Sequence, residues 1–482
     1  MTRLRKIVEA LDSAGVLVRA PAILPDITGL TADSRRLAAG VLYCAVRGSA
    51  ADGHVFVAAA ATAGAAAALV ETAQQVDLPQ IEVRDGRRAA AVAAEAWYDR
   101  PAARLELYAV TGTNGKTTSV TLARHVLGAM APTGSIGTLG AFDADGRQVP
   151  SEAGNLTTPG PIDLQATFAA LLERGARAVA MEVSSHSLDQ GRVDGLEFQA
   201  AVFTNLTRDH LDYHGSMDDY FKAKARLIAH VAAKGLEIVN AEDPAWSRLR
   251  REHRRVTFGE QTGDVRARRL ELDARGARFE LVTPTGTVDA RLPLLGRFNV
   301  MNALGVAACA WGFGVPLETI VERLAHAPQV PGRMERIATT PCVVLRDYAH
   351  TADALERALE TLRPLTSGRL MVLFGAGGDR DRGKRPLMGQ VAARLADIAI
   401  LTSDNPRTED PEGIMDEVEA GMEGRPHERF VDRRQAIQRA LELARPGDTV
   451  LLAGKGHETY QVIGTTKLPF DECEVVRELG AE

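Results

Sequence analysis

The chain of 482 residues carries 57 Lys and Arg against 63 Asp and Glu, a formal net charge of −6. At roughly 100–200 residues per domain that length predicts two to four domains, and the acidic balance argues against a general nucleic-acid or membrane-surface binder. Four scattered cysteines (Cys44, Cys309, Cys342, Cys473) form no Cys-x-x-Cys pair and suit a reducing cytosol better than a disulfide framework or a zinc site.

The charged start Met1-Thr-Arg-Leu-Arg-Lys6 is followed by no apolar core, so no secretory signal is expected. The stretch Val55 to Val70 is mostly alanine, broken by Gly64, and is too short and weakly apolar to cross a bilayer. Residues 1–103 hold no phosphate turn and read as a small α/β domain. Ser34 and Arg35, in Ala32-Asp-Ser-Arg35, suit a phosphorylated ligand, although a strand-end turn would account for them as well.

Residues 104–331 repeat one grammar, in which a short apolar run ends in a polar cluster. Leu105–Val110 precedes Thr111-Gly112, Ala178–Met181 precedes Glu182-Val-Ser-Ser-His186, Ala200–Phe203 precedes Thr204 to His210, and Leu236–Val239 precedes Asn240 to Asp243. Runs of this length, separated by helix-length stretches, predict a mainly parallel sheet whose ligands bind beyond the C-terminal strand ends.

The first of these clusters, Gly112-Thr-Asn-Gly-Lys-Thr-Thr118, reads as strand, tight turn and helix, the arrangement that holds a phosphate. Small residues bring backbone N–H groups to the oxyanions, a helix N-terminus adds positive potential, and Lys116 adds a full charge. Thr117 is placed to touch a Mg²⁺ carried with the nucleotide. The spacing departs from the standard P-loop, since position 110 is Val and Gly112 stands three before Gly115. The reading is an ATP site.

Glu182, at a strand end of the same domain, suits the other half of a Mg²⁺ site. His210 and His214 stand four apart, but Gly215 follows at once and no Glu adjoins His210, so zinc hydrolysis is rejected and His210 is expected near the nucleotide or its metal. Ser216-Met-Asp-Asp219 has the form of a capping box, which predicts a helix from about Met217. On that helix Tyr220, Leu227, Ile228 and Val231 make one apolar stripe that includes Lys224, with Lys222 and Arg226 on the wet side. A buried lysine loses its proton readily and can then act as a base or take up CO₂ as a carbamate; the plainer alternative is a lysine snorkelling off the helix edge.

Residues 332–482 follow the same pattern and predict a Rossmann-like, doubly wound domain. Cys342–Leu345 leads to Asp347-Tyr-Ala-His350, Leu370–Phe374 to Gly375 through Arg380, Ile398–Leu401 to Asp404-Asn-Pro-Arg407, and Thr449–Ala453 to Gly454-Lys-Gly-His-Glu458. Arg380 stands where a dinucleotide fingerprint needs its third glycine, which excludes NAD. Two arginines and an acid at these strand ends suit a zwitterionic substrate, with guanidinium forks on carboxylates and Glu458 on an ammonium; salt bridging between domains would use the same residues.

With these motifs in this order, joined by Asp33-Ser-Arg35, Thr157-Thr-Pro159, Asn205 to His214, Ala223-Lys224, Phe298-Asn-Val-Met-Asn302 and Gly332-Arg-Met-Glu335, the chain resembles the Mur ligase family over nearly its whole length. The resemblance implies three domains, 1–103 for a UDP-linked substrate, 104–331 for ATP, and 332–482 for an incoming amino acid. It implies UDP contacts at Ser34 and Ser49-Ala50-Ala51, and muramoyl-peptide contacts at Thr157, Thr158, Ser184, Gln190 and Arg192. ATP would be held by Gly112, Thr113, Asn114, Gly115, Lys116, Thr117, Thr118, Asn299, Asn302 and Arg333, with Asp347 close by. Lys224, as a carbamate, would join Thr117 and Glu182 around Mg²⁺, and Lys116, Glu182, His210 and Lys224 would be catalytic. Arg380, Asp404, Asn405, Pro406, Arg407, Gly454 and Glu458 match the family's diaminopimelate site.

The activity implied is addition of meso-diaminopimelate to UDP-N-acetylmuramoyl-L-alanyl-D-glutamate through an acyl phosphate, by a cytoplasmic monomer acting without nucleic acid or membrane. Alternatives are a lysine-adding Mur ligase, a folylpolyglutamate-synthetase-like ligase, and a nucleotide-gated binding protein with no ligase activity. The arginine of Asp404-Asn-Pro-Arg407 speaks for diaminopimelate, whose far end carries a second carboxylate that lysine lacks.

Overall fold

A computed structural model describes residues 2–48, 51–150 and 156–481. The chain clusters into two compact units, one of residues 1–268, 281–288 and 301–323, the other of 269–280, 289–300 and 324–482.

The first unit opens with a five-stranded sheet, ordered Leu17–Arg19, Gln80–Val83, Ala67–Val70, Val41–Cys44, Gly29–Thr31. Helices Arg3–Ser13 and Gly86–Trp97 bury Leu4, Ile7, Leu11, Ala89, Ala90 and Ala93 against it. This is the small N-terminal α/β fold expected. Its next sheet centres on β1 (Glu106–Thr111), flanked by β2 (Ala178–Glu182) and β3 (Phe198–Phe203), both parallel to it. The parallel run continues outward through Thr133–Gly137 on one side, and through Val231–Asn240 and Arg254–Gly259 on the other. The central strands β1, β2 and β3 read mostly apolar because both of their faces are covered, as in other parallel sheets. Helix Pro161–Glu173 sets Phe168 and Leu171 against Leu107, Val179 and Met181.

Helix α1 (Lys116–Leu127) follows β1 directly. Helix α2 (Met217–Ala225) starts where the capping box predicts, with Ser216 Oγ accepting from Asp219 N at 3.1 Å. The predicted stripe is buried at Tyr220, Lys224, Leu227, Ile228 and Val231, but not on one α-helix. The α-helix stops at Ala225, residues 226–230 tighten into a 3₁₀ turn, and Val231 already opens a strand. The β-branched Ile228 and Val231 favour that change, and the core rewards the same residues in either conformation.

In the second unit a six-stranded sheet runs Glu335–Ala338, β4 (Val343–Asp347), β7 (Thr449–Ala453), β5 (Leu370–Phe374), β6 (Ile398–Thr402), Glu428–Phe430. All neighbours are parallel except the first pair. Alternate residues serve opposite faces. Leu370, Val372 and Phe374 pack with Leu355, Met388 and Ile414 from helices on one side, while Met371 and Leu373 pack with Ile437 and Ala440 of α3 (Arg433–Leu443) on the other. This is the doubly wound arrangement expected. A hairpin of β8 (Tyr460–Ile463) and β9 (Thr466–Pro469) follows. Among the described residues no helix is long and apolar enough to cross a membrane.

Candidate active site

In the first unit the site is built on the turn between β1 and α1. Gly112 has φ +148° and Gly115 φ +87°. A Cβ on Gly112 would strike Thr204 Oγ1 and one on Gly115 would strike Asn302 Oδ1, so each position needs glycine for both conformation and space. The strand-end cluster after β3 braces the turn. Asn205 O accepts from Thr113 N at 2.7 Å, Asn205 Oδ1 from Asn114 N at 2.9 Å, and Thr204 Oγ1 donates to Asn114 O at 2.7 Å. Thr117 and Thr118 lie buried in the first turn of α1, where backbone N–H groups lack helical partners.

Two lysine side chains converge on one carbonyl of this loop. Lys116 Nζ donates to Gly112 O and Thr113 O, both at 2.9 Å, and Lys224 Nζ donates to Gly112 O at 2.8 Å. Lys224 is 1% exposed and stands 4.7 Å from the Tyr220 ring centroid. Burial, then the charge of Lys116, pushes its pKa well below that of an ordinary lysine, with Asp209 opposing. Among the described residues no carboxylate pairs with it, so the snorkelling alternative is wrong: the helix turns this amine inward.

Glu182 is 1% exposed at the end of β2, in register with Val110 two residues before Gly112. Its Oε1 accepts from Thr138 N at 2.8 Å and its Oε2 from Thr138 Oγ1 at 3.3 Å. The next residues tie it to the expected peptide-binding set. Thr138 Oγ1 reaches Thr157 Oγ1 at 3.1 Å, Thr158 Oγ1 donates to Glu182 O at 2.9 Å, and Ser184 N donates to Thr158 Oγ1 at 3.1 Å. Arg192 bonds Thr158 O at 2.9 Å and the side chain of Gln190. Thr157, Thr158, Ser184, Gln190 and Arg192 are thus one connected patch beside Glu182.

His210 occupies the left-handed region (φ +52°) just before the turn Leu211–His214. It meets the ring of His186 at 4.8 Å, and His186 also stacks on Tyr213 at 4.2 Å and His214 at 5.4 Å. Burial and the neighbouring His210 and His214 pull His186 down to about 4, and burial lowers His210 and His214 as well. His214 Nε2 is spent on Ser185 Oγ at 2.9 Å. Among the described residues no cluster of three His, Cys, Asp or Glu side chains could hold a metal by itself. His186 was not singled out from sequence; its place in Glu182-Val-Ser-Ser-His186, directly after a strand, was the available signal.

Ser34 begins a short 3₁₀ turn whose cap, Asp33, accepts from Arg35 N at 2.9 Å and pairs with the Arg35 side chain. Ala51 O accepts from Gly48 N at 2.9 Å, while Ser49 and Ala50 lie outside the described residues.

In the second unit the strand ends gather the remaining candidates. Asp347, at the end of β4, accepts from Met334 N at 2.7 Å and Ala349 N at 2.9 Å, and burial raises its pKa. The Arg333 guanidinium lies 4.9 Å from the Tyr348 ring. Asn299 is buried, its amide donating to Leu295 O at 2.8 Å. Gly454 N, after β7, donates to Asp347 O at 3.0 Å. After β6, Asp404, Asn405 and Pro406 are buried and Arg407 takes φ +53°. That backbone is held by β8, since Arg407 N donates to Val462 O at 3.0 Å and Gly464 N to Arg407 O at 2.7 Å. Arg407 Nη1 donates to Gly378 O at 2.7 Å, and Asn405 Nδ2 to Glu458 Oε2 at 2.8 Å. Arg380 is exposed in the loop after β5. From α3, the fully buried Arg433 reaches the carbonyls of Ser403 (3.4 Å) and Ala453 (3.0 Å), pinning the last turns of β6 and β7 together.

Comparison with known proteins bears on both units. Residues 110–310 match the family model described as Mur ligase middle domain, 332–456 that of the Mur ligase glutamate ligase domain, and 26–106 that of the Mur ligase family catalytic domain. A protein of Geobacillus kaustophilus named UDP-N-acetylmuramoyl-L-alanyl-D-glutamate–2,6-diaminopimelate ligase is 45% identical over 466 residues, covering 94% of each chain. A protein of the same name from Gloeobacter violaceus is 45% identical over 461 residues, again 94% of each. A solved structure carrying that name superposes with a TM-score of 0.67 at 34% identity, over 97% of this chain and 98% of the other. MurF of Acinetobacter baumannii gives 0.66 at 23% identity over 98% of each, a likeness of fold alone.

Proposed function

This chain belongs to the Mur ligase family, and from that premise we propose that it joins meso-diaminopimelate to the D-glutamate carboxyl of UDP-N-acetylmuramoyl-L-alanyl-D-glutamate, with cleavage of ATP to ADP and phosphate. The observation that carries the reading is the convergence of Lys116 and the buried Lys224, with which no carboxylate pairs among the described residues, on the carbonyl of Gly112. We assign 1–103 to the UDP moiety, with Ser34 and Ser49 to Ala51; 104–331 to ATP and the peptide; and 332–482 to the incoming amino acid.

In the first step the glutamate carboxylate attacks the γ-phosphorus of ATP, an acyl phosphate forms and ADP leaves. Lys116 and the N–H groups opening α1 offset the charge gathering on the transferred phosphoryl group. Arg192, Thr157, Thr158 and Ser184 hold the peptide so that its carboxylate is aligned. In the second step the amine of diaminopimelate adds to the acyl carbon and phosphate departs from the tetrahedral intermediate. Glu458 suits an ammonium, and Arg407 and Arg380 suit carboxylates.

Mg²⁺ would be held by Thr117, Glu182 and Lys224 together with nucleotide phosphates. The donor set fits, because this ion takes one or two protein carboxylates and keeps waters and phosphates for the rest. An amine whose charged form is disfavoured by burial, such as Lys224, reacts, once it has given up its proton, with CO₂ to form a carbamate and a second proton, which supplies a second carboxylate. When bound, the ion would neutralise charge on the transferred group. Four unpaired cysteines support a reducing cytosol as the place of action.

Phosphate release with ATP, the UDP-linked dipeptide and each candidate amino acid tests the reading. Diaminopimelate should be preferred over lysine by at least 10²-fold, since a guanidinium left without its carboxylate is a large loss. No tripeptide product, or equal use of lysine, overturns it.

A further inference from the structure

Lys455 has no part in the scheme above, yet it is the lysine of the turn after β7, three residues before Glu458, and its side chain is 0% exposed. A cation taken wholly out of water is costly unless fixed partners receive it. Those it has are unequal: Asn405 Oδ1 at 3.2 Å and Glu458 Oε2 at the long distance of 3.5 Å, with the Tyr460 ring centroid 5.9 Å away. Burial lowers its pKa, Asp404, Glu458 and Glu472 act to raise it, and Arg433 acts to lower it further.

The bonds around it leave Asn405 one orientation. Its Oδ1 accepts from both Lys455 Nζ and Val462 N (2.9 Å), and its Nδ2 donates to Glu458 Oε2 (2.8 Å). A flipped amide would set its NH₂ against two donors. Glu458 Oε2 is therefore occupied from two sides, and among the described residues no hydrogen bond reaches Oε1. We propose that Lys455 is a positioning residue for the incoming amino acid: it locks Asn405 and Glu458 in the arrangement that presents Glu458 Oε1, as a carboxylate, to the ammonium of a zwitterionic head. The proposal rests on the assignment of Glu458 to the amino-acid site. Without Lys455, Glu458 Oε2 would keep the Asn405 amide but lose its cation, and Asn405 Oδ1 would keep Val462 N alone.

The test is steady-state phosphate release by the full chain, comparing wild type, Lys455→Met, Glu458→Gln and the double variant. Lys455→Met should raise KM for diaminopimelate about tenfold or more, with KM for ATP and for the UDP-linked dipeptide within about twofold of wild type. The double variant should be no worse than Glu458→Gln alone, because the lysine acts through that carboxylate. An unchanged KM for diaminopimelate, an equal rise in all three, or effects that multiply in the double variant would overturn the assignment. Should Met not be tolerated, Lys455→Gln, which drops the charge, should give the same selective rise. Loss of fold in both variants would make Lys455 a stability element and overturn the proposal. Wild type run alongside separates the two levels: if it makes no product with diaminopimelate, the proposed function fails and takes this assignment with it.

Discussion

Replacing Lys224 by Met should separate stability from turnover. The side chain is 1% exposed and makes one hydrogen bond, to Gly112 O, which also accepts from Lys116 and so is not left bare. Losing that bond costs about 1 kcal/mol. Replacing a desolvated amine by a thioether of similar length returns an amount of the same order, since uncompensated polar burial costs about 1–3 kcal/mol. The net change should stay within about 2 kcal/mol, or about 4–8 °C at about 2–4 °C per kcal/mol for a chain of several hundred residues. Turnover should behave differently. Removing one preorganised group at a developing charge commonly costs about 10²–10³ in rate, and Lys224 is proposed also to complete a metal site. We expect kcat/KM to fall by about 10³ or more, equivalent to about 4 kcal/mol of barrier. Phosphate release and thermal unfolding on the same preparations measure both. Turnover above a tenth of wild type, or an unfolding midpoint more than about 10 °C lower, would refute the reasoning.

Arg407→Ala should raise KM for diaminopimelate well above any change in KM for ATP; parallel changes would make the arginine a brace for the Gly378 carbonyl and nothing more. Burial holds His186 and His457 down at about 4, below the ordinary 6.5. Between pH 6.5 and 4 the unfolded chain takes up protons that the folded chain refuses, so stability is fully present above 6.5 and declines as pH falls through that window. His186→Phe combined with His457→Phe should flatten the dependence of the urea midpoint on pH there, and an unaltered slope would show that other groups cause it.

Much of the fold was legible because parallel strands buried on both faces must be apolar throughout. The runs at 370–374 and 449–453 match their strands residue for residue, and Glu182 and Asp404 follow their runs as polar strand ends do. The capping box at Ser216 and the helix opening at Lys116 were equally readable, since both depend on residues a few positions apart. The helix expected to continue past Ala225 was not, because a stripe of apolar residues satisfies the core as helix, 3₁₀ turn or strand.

Sequence alone determined the succession of apolar strand runs, the phosphate turn and the start of α2, all consequences of periodicity, capping and local sterics. Only the tertiary structure decided that Lys224 and Lys116 share one carbonyl, that His186 stacks on three rings drawn from a later segment, and that Lys455 bonds to Asn405 fifty residues earlier. Those relations depend on which strands lie side by side in a sheet. That pairing is settled by the summed burial of many side chains, and no local run of residues encodes it.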